Sequence, residues 1–143
     1  MKTEGDLNGE ISSWLRKMSP KIHYLKVADK YSLGISDFII WGDGKNAAVE
    51  SKFVLIPPGP NVLLLKHPFS GKQITFLESI YLTGNRSWGL VYINETSLFY
   101  LIQYTRIPEK GNWKTGAFFK ESFKTFTKSQ FKDMINHILT GDT

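Results

Sequence analysis

Apolar residues recur along the 143-residue chain with two different periods, and together these set out its expected elements. Leu7, Ile11, Trp14, Leu15 and Met18 keep helical spacing, which predicts an amphipathic helix over residues 6–18 with Asp6 as its N-cap and Pro20 as its stop. A short extended segment, His23 to Ala28, follows. Phe38–Trp41 and Ala47–Val54 read as two strands joined across Gly42-Asp43-Gly44, a hairpin signal. Beyond the stiff IPPGPN loop at 56–61, Ser70 opens a second helix, with Ile74, Phe76, Leu77, Ile80 and Tyr81 on one arc and Gly84 at its end. Trp88–Ile93 and Leu98–Tyr104 make a second strand pair around Asn94 and Glu95. A last helix is predicted from about Lys128 to Thr140, with Phe131, Met134, Ile135, Ile138 and Leu139 facing the core.

No repeat, low-complexity tract or long linker divides the chain, and 41% hydrophobic content suits one α/β or α+β domain with a sizeable core. The longest apolar candidate, FVLIPPGPNVLLL, is broken by three prolines, so no membrane span is expected. The first ten residues, MKTEGDLNGE, lack the charged-then-apolar order of a signal segment. There is no cysteine, which excludes disulfide frameworks and thiolate metal sites. A soluble, cytoplasmic protein is the plain expectation, and the small cysteine-free chain suits a microbial or phage source. The net charge of +5 favours a polyanionic partner, because Lys and Arg that neutralise phosphates release condensed counterions.

Charge inside the strands changes this picture. In GISDFIIWGDGKNAAVESKFV, Asp37 opens one apolar run while Glu50 and Lys52 lie within the next. Side chains alternate along a strand, so Ala48, Glu50, Lys52 and Val54 share one face, and Asp37 on the partner strand can reach it. Two carboxylates and an ammonium at one spot suit a hard cation such as Mg²⁺, with phosphate and water as its remaining ligands. A half-exposed strand is the alternative for the same residues. The acid-x-lysine pattern also occurs at Asp43 and Lys45, where it reads as turn chemistry.

GISD followed by AAVESKFV resembles the PD-(D/E)XK nuclease superfamily, with Ser36-Asp37 in place of the first element and Glu50-Ser51-Lys52 as the second. HPFSGKQITFLESIYLTGNRSWGLVYI resembles the following segment of Holliday-junction resolvase-like and virus-type replication-repair nucleases, in which a helix carries a Gln beside the metal site; Gln73 matches it. The resemblance spans about 6–104 and leaves a basic, aromatic extension over 105–143. It implies a restriction-endonuclease-like core, a central mixed β-sheet flanked by helices, within one nuclease domain over 1–143. It implies Asp37, Glu50, the Ser51 main-chain carbonyl and Glu10 as ligands of Mg²⁺, with Mn²⁺ as substitute. Lys52 would serve the attacking water, with Gln73 and Glu10 assisting. Other readings remain open: Ser70-x-x-Gln73 is also a capping box, and Glu10 is also a solvated acid favoured by the helix dipole. Glu4 is a weaker ligand candidate because it is expected to precede the helix.

For DNA contacts, the candidates are Ser32 and Ser36 beside Asp37, Lys66, Lys72 and Arg86 around the site, and Lys114, Lys120 and Lys124 in the basic region. Lys120, Lys124, Lys128 and Lys132 would line one face of a helix, a stripe that could track phosphates or simply be solvated. The three histidines form no metal-ligand spacing. The resemblance thus implies a metal-dependent endonuclease on branched DNA, acting as a homodimer. The alternatives are a nicking or sequence-specific duplex nuclease, and a DNA-binding module that does not cut.

Overall fold

The computed structural model describes residues 1–27, 37–55, 69–107 and 124–141, and the backbone alone of 64–66 and 112–114. Helix α1 runs Glu4–Lys17, and its N-cap is Thr3 rather than Asp6. Thr3 is extended and its hydroxyl accepts the Asp6 N–H at 3.1 Å, while the Lys2 N–H donates to the Asp6 carboxylate at 2.9 Å. Both residues can cap, and the one followed three positions later by an acid takes the N-cap. Glu4 is therefore the first helical residue and not a member of the preceding tail.

Strand β1 is His23–Lys26, shorter than expected. β2 (Phe38–Gly42) and β3 (Lys45–Val54) form the hairpin, closed by Asp43 and Gly44 at φ 54° and 75°. Two consecutive positive-φ residues match the twist of paired strands, which is why Asp-Gly serves here. β3 then pairs in parallel with β5 (Arg86–Ile93), an arrangement that needs a crossover. The crossover contains β4 (Leu64–Lys66) and helix α2 (Gly71–Leu82), capped at Ser70. β6 (Leu98–Gln103) returns antiparallel, and Tyr104 leaves the strand to open a 3-10 turn. β7 (Asn112–Lys114) pairs with β4 in a separate two-stranded sheet. The main sheet is mixed and six-stranded, in the order β1-β2-β3-β5-β6-β8.

The C-terminal lysines do not share a helix. Lys124 begins strand β8 (Lys124–Phe126), Lys128 begins a 3-10 turn, and only Lys132 lies in α3 (Phe131–Thr140). Threonines and phenylalanines between the lysines favour extended backbone, and this outweighs the four-residue spacing. Lys120 lies outside the described residues. The apolar face expected of the last helix is present, with Phe131, Met134, Ile135, Ile138 and Leu139 all buried.

Helices cover both faces of the sheet. α1 and α3 pack with Phe38, Ile40, Val49, Trp88, Leu90 and Leu101 on one side. α2 packs through Leu77 with Ala48, Val91, Ile93 and Ile102 on the other. β5 is pinned to both layers: the Ser87 hydroxyl donates to Leu77 O at 2.8 Å, and the Trp88 indole donates to Ile138 O at 2.8 Å. Among the described residues, no helix is long and apolar enough to cross a membrane.

Candidate active site

The register Phe38↔Val49 places Asp37 directly across from Glu50, so their side chains share the face covered by α2. The Asp37 N–H donates to Glu50 Oε2 at 3.3 Å. Asp37 Oδ2 accepts the Ser51 N–H at 2.9 Å and lies 3.0 Å from the Ser51 hydroxyl. That hydroxyl also meets Asn8 of α1. The Ser51 hydroxyl sits between two acceptors, Asn8 Oδ1 and Asp37 Oδ2, with one proton to donate between them. α1 thus fixes Asp37 through Asn8 and Ser51.

Glu50 is 2% exposed, and the surrounding packing explains why. Its neighbour across the parallel pair is Gly89, where a Cβ would come within 2.7 Å of the Phe69 ring. The missing side chain lets Phe69 lie against the sheet next to Glu50. Phe69 directly precedes the Ser70 cap and joins Ile74 in one apolar cluster, a staple that sets the entry of α2. The two readings of Gln73 turn out to be compatible. Its Oε1 accepts the Ser70 N–H at 2.9 Å, completing the capping box, while its Nε2 donates to Glu50 Oε1 at 2.7 Å.

Lys52, on the same face as Glu50, places Nζ 3.4 Å from Glu50 Oε1 and 3.5 Å from Glu4 Oε1. Carboxylate oxygens of Glu4, Asp37 and Glu50 all lie within 4.8 Å of one another. Glu4 was the acid assigned to the tail; the earlier helix start carries it into the cluster. Glu10 lies outside that cluster. It is two turns along α1, 3.8 Å from Lys128 Nζ, a distance that makes it the partner of a lysine on the C-terminal side of the fold. Burial, and then the charge of Asp37, push the Glu50 carboxyl up to about 8, while Lys52 pulls the other way. Three acids against one lysine leave an excess of negative charge that a divalent cation would neutralise, and the donors are all hard oxygens. The residues present fit such an ion.

The other candidates scatter. Lys72 is exposed on the first turn of α2, beside Gln73. Arg86 does not border the site. It pairs with Ala47, three positions before Glu50 and so ~10 Å away, and its Nε donates to Gly141 O at 3.0 Å. Lys124 is three strands from β3, with its ammonium 5.8 Å from the Phe126 ring. Ser32 and Ser36 lie outside the described residues, as do the side chains of Lys66 and Lys114. Sequence reasoning missed Asn8 and the Ser51 side chain altogether. Asn8 follows Leu7 on the helix edge, which is the one signal that could have drawn it in.

No protein-family model matches the chain, and no curated protein does. Among solved structures, the chain is similar to Hjc of Archaeoglobus fulgidus, a Holliday junction resolvase from an archaeal hyperthermophile. The TM-score is 0.48 and the identity 13%, over 92% of this chain and 90% of that one.

Proposed function

We propose that this chain is a divalent-metal-dependent endonuclease that hydrolyses DNA phosphodiester bonds. The observation that carries the proposal is the meeting of Glu4, Asp37 and Glu50 within 4.8 Å, with Lys52 bridging two of them. Three carboxylates converging on a buried one, Glu50, are costly without a cation, and a purely DNA-binding module has no use for them. Asp37, Glu50 and Glu4 would hold Mg²⁺, or Mn²⁺ in its place. The Ser51 carbonyl joins them as a candidate, because the N–H and C=O of one strand residue point to the same edge and its N–H points at Asp37. When bound, the ion supplies Lewis acidity to a phosphodiester oxygen and acidifies water.

Lys52 orients the attacking water and offsets the charge that develops on phosphorus. Gln73 holds Glu50 in one rotamer through its amide, and Asn8 does the same for Asp37 through Ser51. Water adds to phosphorus and the bond to O3′ breaks, leaving a 5′-phosphate and a 3′-hydroxyl. Branched DNA, Holliday junctions first, is the substrate proposed. This choice rests on the likeness of GISD, AAVESKFV and HPFSGKQITF to resolvase-like nucleases, and two strands cut symmetrically imply a homodimer. Duplex nicking is the second enzyme reading, since substrate choice resides in loops and quaternary structure.

An end-labelled four-way junction and a linear duplex of matched sequence, incubated in Mg²⁺ or EDTA, test the reading. Paired cuts near the branch, lost in EDTA and in Glu50→Ala, are expected. Equal cutting of both substrates would discard the junction preference. Tight binding with no cleavage in Mg²⁺ or Mn²⁺ would leave a non-cutting module.

A further inference from the structure

At the turn end of the β2–β3 hairpin, away from the acid cluster, the surface changes character. Trp41 is 41% exposed on β2, directly across from His23 of edge strand β1. The two rings lie nearly parallel, with centroids 6.1 Å apart at 18°. An exposed, stacked Trp-His pair forfeits the burial that normally recommends tryptophan, so no gain in core packing explains it. The pair lines an open cleft of about 570 Å³ whose rim includes Lys21 and Lys45. A second groove of about 450 Å³ adjoins it between α1 and α3 and adds Lys17 and Lys132. All four lysines are exposed, and none is ion-paired among the described residues. Asp43 is the single acid in either lining.

This surface is set apart from the acid cluster. Trp41 faces Asn46, and Asn46, Ala48 and Glu50 alternate onto one side of β3. Trp41 and Glu50 are therefore on the same sheet face, ~13 Å apart at ~3.3 Å per residue. Ala48 lies between them, buried under Leu77 of α2, so the Trp41–His23 pair forms a surface separate from the acid cluster.

We propose that the Trp41–His23 pair receives an unpaired DNA base, with Lys21, Lys45, Lys17 and Lys132 around the same end of the hairpin holding the flanking phosphates. The proposal deepens the nuclease reading and rests on it for the identity of the ligand. It names the feature recognised: a strand that has left the duplex. Aromatic faces stack on any base, and lysines give sequence-independent phosphate contact, so the preference is for unpaired structure over sequence.

Fluorescence anisotropy in EDTA, where cutting is suppressed, tests this with a labelled duplex bearing or lacking a single-stranded tail. The wild type is expected to favour the tailed DNA by about ten-fold, the scale of one stacked base. Trp41→Ala should abolish that preference and leave blunt-duplex affinity unchanged, while Trp41→Phe should keep most of it. The double variant Lys21→Ala, Lys45→Ala should lower the salt slope for the tailed DNA by about 1.4. An unchanged tail preference in Trp41→Ala, or no preference in the wild type, overturns the proposal. So does a light-scattering mass that falls from dimer to monomer in Trp41→Ala with the tail preference intact, which would assign the face to a second copy of the chain. The nuclease reading is judged separately by cleavage in Mg²⁺. Cleavage with an unchanged tail preference sinks this proposal alone, and a Trp41-dependent preference without cleavage sinks only the nuclease.

Discussion

Glu50 holds a proton near neutral pH in the metal-free protein, because burial and the neighbouring Asp37 outweigh the attraction of Lys52. A carboxyl raised from 4.5 to about 8 on folding binds protons more tightly in the native state than in the unfolded chain. Its contribution to stability is complete below the unfolded value and is lost as pH rises through the folded one. Urea unfolding in EDTA should therefore show stability falling between about pH 5 and 9, by up to ~5 kcal/mol. Glu50→Gln, which keeps a neutral side chain of the same shape, should flatten that slope. A wild-type profile that rises over the same range would contradict the assignment. The direction also says how an ion enters: its binding must expel the Glu50 proton, so affinity should increase with pH across the same window.

The α2 N-terminus is where several local choices converge on the site. Phe69 lies over Gly89, Ser70 caps the helix, and Gln73 both completes the cap and holds Glu50. Gly89→Ala would push a methyl to within 2.7 Å of Phe69 and 2.9 Å of Ile102, an overpacking of about 1–3 kcal/mol. Because Phe69 adjoins the cap, cleavage should fall further than stability does. Adding Phe69→Leu to make room should restore much of the stability, as denaturant midpoints would reveal. Much of this element was legible beforehand: the Ser-x-x-Gln signature, the apolar arc and the Gly-Asp-Gly hairpin are strong local signals, and they put Asp37, Glu50, Lys52 and Gln73 in one neighbourhood. What escaped were choices between near-equal local options. Thr3 and Asp6 can each cap a helix, and taking the wrong one removed Glu4 from the site and promoted Glu10. Lysines spaced by four suggested a helix where β-branched and aromatic neighbours build a strand. Asn8 carries only the weak signal of its place beside Leu7 on the helix edge, since its role depends on which strand residue α1 meets.

At the scale of the whole molecule, the acid cluster gathers Glu4 from α1, Asp37 from the bend that opens β2 and Glu50 from β3, while α2 supplies Gln73. An ion held there links three elements that the chain brings together from far apart, so Mn²⁺ should raise the melting temperature of the wild type. The gain should approach about 2.7 kcal/mol at a hundred times the dissociation constant, and should vanish in Asp37→Asn. The parallel pairing of β3 with β5 has a further consequence in time. The β2–β3 hairpin can close from its own two-residue turn within ~1–10 μs, but β5 must cross the whole segment carrying α2 before it docks. Until it does, Gly89 and Phe69 are not in place, and Glu50 is an ordinary solvated acid. A chain emerging from the ribosome therefore carries its acids and lysine early but acquires a working site only after residue 93 has been made. On the proposed reading, such a delay would spare the surrounding nucleic acid from a half-built nuclease.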